Sequence, residues 1–92
     1  MRKITIDCAA FHSAAEFHAY IRDLMSFPAY YGANLDALHD CLTELSEDTE
    51  VDMVDSIGIP GEMRYLICKI VSVFSRAAVE NPHLTFHVLD GR

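Results

Sequence analysis

The 92-residue chain has no tryptophan, only three prolines, four glycines and three cysteines, and each shortage narrows what it can be. So little glycine and proline excludes a fibrous repeat or a low-complexity linker. The odd set Cys8, Cys41 and Cys68 contains no Cys-x-x-Cys pair and no Cys/His spacing that suits zinc. The expectation is therefore three buried thiols in a reducing cytoplasm. Long apolar runs are missing too. The most apolar stretch, residues 65–79, is broken by Lys69 and Arg76 and falls short of the roughly 18 residues a membrane span needs. Arg2 and Lys3 resemble the start of a signal peptide, but Asp7 interrupts the apolar core and Glu16 sits where small residues should precede cleavage, so no export is expected.

Positive charge is scarcest of all. Seven Lys and Arg face fourteen Asp and Glu, for a net charge of −7, and residues 23–63 hold ten acids without one Lys or Arg. Affinity for a phosphate backbone comes from cations that displace counterions, so no direct nucleic-acid binding is expected. An acidic field favours a cationic partner: a metal ion, a basic small molecule or a protein with a positive cleft. What is present in ordinary amount is apolar material, 51% of residues, enough for one core, and residues 1–92 read as one domain.

Residues 3–8 alternate Ile4 and Ile6 with polar side chains and predict a strand. Ser13 with Glu16 three positions later is a capping-box pattern, and Phe17, Tyr20, Ile21 and Leu24 then recur at helical spacing over 14–25. Pro28 and Gly32 around Tyr30-Tyr31 predict a loop, and one of two adjacent tyrosines should point inward. Asn34 can cap a second helix over 35–45, with Asp36 favourably placed in its first turn. Residues 50–54 predict a strand, 56–62 a loop or a single helical turn, and 63–80 a long helix stopped by Asn81-Pro82. Residues 84–89 predict the last strand. Strands separated by helices point to an α/β fold with a small parallel sheet.

On the second helix, Leu35, Leu38, Cys41, Leu42 and Leu45 fall on one side. Asp36, Asp40 and Glu44 fall at i, i+4 and i+8 on the other, bordered by His39 and Thr43. Like charges at this spacing repel by a few tenths of a kcal/mol per pair, roughly, so an unrelieved acidic stripe hints at use. The segment Phe27-Pro28-Ala29-Tyr30-Tyr31-Gly32-Ala33-Asn34-Leu35-Asp36-Ala37-Leu38-His39-Asp40-Cys41-Leu42-Thr43 resembles the central segment of the barstar family, intracellular inhibitors of a secreted bacterial ribonuclease. The likeness extends more weakly through the Ile-rich first strand, Val73-Phe74 and the closing strand. It implies a three-stranded parallel sheet covered by helices. It also implies an acidic helix and preceding loop that plug a nuclease active site.

By that resemblance, Tyr30 stacks on a catalytic histidine of the target and an aspartate, Asp36 or Asp40, replaces substrate phosphate. Gly32 and Asn34 shape the loop and Thr43 matches at the helix end; Glu44, from the acidic stripe itself, is expected to join the contact. Two positions depart from the family pattern. His39 stands where the family has a tryptophan, and Arg76 stands where it has an acid, with Glu80 one turn on either compensating or pairing with Arg76. The expected partner is a basic bacterial ribonuclease bound one to one by a monomer. The alternative is an acidic interaction or immunity module of the same fold directed at a non-ribonuclease basic partner.

Other chemistries read less well. Asp48, Glu50 and Asp52 match EF-hand positions 1, 3 and 5, but Met53 and Ile59 stand where Gly and Glu are required. His83 and His87 would share a strand face but lack a third ligand. Asp40, His39 and Cys41 are consecutive, diverge by about 100° each on a helix and make no nucleophile-base pair. The expectation is a non-enzyme without metal or cofactor.

Overall fold

The computed structural model describes residues 1–55, 59 and 61–89. Its order is β1 (Arg2–Asp7), a 3-10 turn (Cys8–Ala10), α1 (Ala14–Met25), α2 (Leu35–Thr43), β2 (Thr49–Val54), α3 (Gly61–Glu80) and β3 (Leu84–Val88). The three strands are parallel in the order β1-β2-β3, which puts β2 in the centre. The expected loop at 56–62 lies largely outside the described residues.

Strand order decides which face is covered. Right-handed crossovers that step in one direction across a sheet put all their helices on the same side. Burial alternates accordingly: Ile4, Ile6, Thr49, Val51 and Met53 are buried, while Lys3, Thr5, Glu50 and Asp52 between them face the other way. The covered face packs against Phe17, Ile21 and Met25 of α1, Leu38 and Leu42 of α2, and Ile67, Ile70, Phe74 and Ala77 of α3. Parallel sheets usually bury both faces and read as continuous apolar runs. This one leaves a polar face, which is why β2 can carry two acids at its centre.

The ends of the helices follow local chemistry. Ser13 Oγ accepts from the Glu16 N–H at 3.1 Å, and Glu16 reaches back to the N–H of His12, one residue before the usual capping-box partner. On edge strand β1 the Asp7 N–H donates to the Tyr20 hydroxyl at 2.9 Å, which takes a main-chain donor away from solvent. Of the cysteines, Cys8 is buried and Cys41 half-buried, but Cys68 is exposed, contrary to expectation. It lies one position, about 100°, beyond Ile67 on α3 and turns off the apolar stripe. Among the described residues no helix is long and apolar enough to cross a membrane.

Candidate functional site

Asn34 builds the start of α2. Its Oδ1 accepts from the Ala37 N–H at 2.7 Å and its Nδ2 donates to the Gly32 carbonyl at 3.2 Å, so one side chain caps the helix and closes the loop before it. Gly32 packs closely on the helix start: a Cβ there would stand 3.3 Å from the Ala37 Cβ, tight enough that the neighbour would have to shift by a few tenths of an ångström. Ala33, just before the cap, is left-handed at φ 54°, a conformation that costs an L-residue roughly 1 kcal/mol or more.

The tyrosine pair divides as expected. Tyr31 turns inward, packs 5.1 Å from the Phe27 ring and places its hydroxyl 2.7 Å from His18 Nδ1, whereas Tyr30 is 87% exposed. Anchoring one ring fixes the backbone that presents the other. Burial holds the His18 pKa below its usual 6.5. Burial, then the nearby Cys41, pushes the Tyr31 phenol above its ordinary range. An imidazole kept neutral in the fold but titrating normally when unfolded contributes stability that is whole above pH 6.5. That stability is lost as pH falls towards the folded-state value. Urea melts from pH 7.5 to 5 should therefore show stability dropping by up to about 1.4 kcal/mol per pH unit below 6.5. His18→Gln should flatten this segment of the curve; an unchanged slope in the variant would disprove the assignment.

Asp36, Asp40 and Glu44 are all exposed along α2, with Leu38 and Leu42 buried behind them. The helix ends at Thr43, two residues earlier than expected. Thr43 Oγ1 donates back to the Asp40 carbonyl at 3.0 Å, and the buried Asn81 Nδ2 donates to the Leu42 and Leu45 carbonyls at 2.9 and 3.1 Å. These bonds occupy the carbonyls at the end of the helix. His39 is tucked between α2 and α3, with Nε2 3.0 Å from Glu80 Oε1 and Nδ1 4.0 Å from Asp40 Oδ1. The buried Nε2 has no hydrogen-bond geometry to the carboxylate, so the contact is ionic when the ring is charged. Glu80 thus sits against His39. Among the described residues Arg76 has no ion pair within 4 Å, although it lines the same groove as Asp36 and His39.

Two residues that the sequence pattern did not single out adjoin this surface. Tyr65 is 72% exposed on α3, with Lys69 Nζ 4.5 Å from its ring centroid, and both line the concavity beside Asn34 and Asp36. Their i, i+4 spacing on the polar side of α3 was the one local signal; nothing nearby in the chain indicated that this side would meet α2. At Cys41, burial and then the carboxylates of Glu44 and Asp40 push the thiol pKa up, the reverse of what a thiolate nucleophile requires.

The family model described as "Barstar (barnase inhibitor)" matches residues 1–89. A protein of Bacillus subtilis (strain 168) named "Putative ribonuclease inhibitor YrdF" is 54% identical over 43 residues, 47% of this chain and 47% of that protein. The match thus spans about half the length of that relative.

Proposed function

The chain belongs to the barstar family, and from that premise we propose that it is a one-to-one protein inhibitor of a basic bacterial ribonuclease. It acts in the cytoplasm, as a monomer when free. The observation that carries the proposal is the exposed acidic face of α2, Asp36, Asp40 and Glu44, beside the exposed Tyr30, with no Lys or Arg anywhere in residues 23–63. A ribonuclease holds its substrate's phosphates with cations. Carboxylates set one helical turn apart can take those places while Tyr30 covers an apolar or aromatic surface of the cleft. Gly32 and Asn34 hold the loop, and His39, Thr43 and Arg76 border the contact. Nothing is cleaved, and occlusion consumes no cofactor.

Arg76 and Lys69 add a condition. Both line the groove beside Asp36, so a fitting target carries an acid at the rim of its cationic cleft. This mosaic also favours, as a second reading, an immunity module of the same fold aimed at a basic protein other than a ribonuclease.

Titrating barnase, or a ribonuclease encoded beside this chain, should abolish activity at one equivalent, and the loss should persist in chelator. Association should also slow about tenfold or more as salt rises from about 50 to 500 mM, because steering between opposite charges is screened. An on-rate indifferent to salt would mean that an apolar surface, and not the acidic stripe, makes the encounter.

A further inference from the structure

Two patterns that fail separately in the sequence fall together in the fold. The acids Asp48, Glu50 and Asp52 alternate at and before β2, and His83 and His87 lie at and before β3. The parallel register sets Asp52 directly against His87. Each histidine consequently meets an acid of the neighbouring strand: His83 Nδ1 lies 2.8 Å from Asp48 Oδ1, and His87 Nδ1 lies 3.3 Å from Asp52 Oδ1 and 3.6 Å from Glu50 Oε2. His87 thus gains two carboxylates from across the sheet, whereas His83 meets Asp48 alone.

We propose that Glu50, Asp52 and His87 form a three-ligand site for a divalent transition-metal ion of the Zn2+ class, on the uncovered face of the sheet. One ligand atom from each lies within 4.8 Å of the others. Zinc bonds of about 2.0–2.2 Å place neighbouring donors of a tetrahedral site about 3.3–3.6 Å apart. The two histidine-carboxylate distances match that edge, and binding would replace the 3.3 Å hydrogen bond between His87 Nδ1 and Asp52 Oδ1 with two metal bonds. Lys3 Nζ sits 3.6 Å from Glu50 Oε1, the other carboxylate oxygen, and leaves Oε2 available. The mixed imidazole and carboxylate set suits zinc and its neighbours; an all-oxygen shell of six to eight ligands, as calcium prefers, is not assembled here. His87 would bind through Nδ1 with its proton on Nε2, and a fourth position would stay open to water. The strand pairing that aligns the ligands is held by Ile4, Val51 and Met53 on the opposite, buried face, so the site is organised by the core and independent of α2.

The test is a calorimetric titration of the full chain with Zn2+ alone, carried in a Cys68→Ser background because that thiol is exposed. One equivalent should bind and move the His87 ring resonances while those of His18 stay in place. His87→Gln and Asp52→Asn should each weaken binding by about tenfold or more, whereas His83→Gln should leave it unchanged. Absence of saturable binding in the parent, or unaltered affinity in His87→Gln, overturns the proposal. Should a variant fold poorly, Co2+ added to the parent gives a second reading: the visible absorption of a four-coordinate nitrogen-oxygen complex supports the site, and its absence refutes it. Ribonuclease inhibition in chelator reports on the α2 surface alone, so the two proposals fail separately.

Discussion

Asp40→Ala is expected to make the free protein slightly more stable and its complex with a ribonuclease much weaker. Asp40 stands one turn from both Asp36 and Glu44, all three exposed, with no base on the helix except the partly buried His39. Removing the middle charge relieves two like-charge neighbours, for a gain of about 0.2–0.5 kcal/mol. In the complex the same change leaves the target's buried cations unpaired, a loss of about 2–5 kcal/mol, a general range to which measurements on barstar itself contributed. Asp36→Ala should behave differently, because Asp36 lies in the first turn of α2 and its carboxylate gains about 0.3–1 kcal/mol from the helix N-terminus. It should bind worse without becoming more stable. Urea melts and binding titrations on both variants decide the matter: near-parental affinity for Asp40→Ala would make the stripe merely a solvated surface.

Asn81→Ala should lower stability by about 2–4 kcal/mol, a large loss for one polar side chain, since unsatisfied buried groups each cost about 1–3 kcal/mol. Asn81 is 4% exposed, and its side chain serves three main-chain groups: Nδ2 donates to the carbonyls of Leu42 and Leu45, and Oδ1 accepts from the His83 N–H at 2.9 Å. It therefore joins the end of α2 to the turn that leads into β3. Against the 5–15 kcal/mol of an ordinary domain, roughly, that is a large fraction. Asn81→Asp keeps the acceptor for His83 but points a carboxylate at two carbonyl oxygens, so it should be at least as destabilising as alanine. Equilibrium urea unfolding with an unchanged m-value would show a stability effect free of any change in the unfolded chain. A cost below 0.5 kcal/mol, roughly the scale of an ordinary surface change, would mean that the joint is dispensable. Because Thr43 and Glu44 lie beside the affected carbonyls, Asn81→Ala should also loosen the C-terminal part of the acidic face.

The parts legible in the sequence are those governed by residues a few positions apart. Ser13 and Asn34 cap their helices from within three residues, and the 100° step of an α-helix separates Leu38 and Leu42 from Asp36 and Asp40 without reference to anything else. That one of Tyr30 and Tyr31 turns inward follows from adjacency on one backbone, while the choice of Tyr31 came with its partners His18 and Phe27. The tertiary structure decided what depends on partners 35 or more positions away, where no local period carries information. It made the strand predicted over 50–54 the centre of the sheet and left its acids on an open face. It gave Glu80 to His39 and left Arg76 unpaired at 4 Å among the described residues, assigned Asn81 to the end of α2, and set His87 against Asp52. Capping, helical phase and charge spacing are short-range energies written in neighbouring residues. Strand order, register and helix-helix pairing are chosen by burial of the whole apolar surface at once, and only the folded chain records that choice.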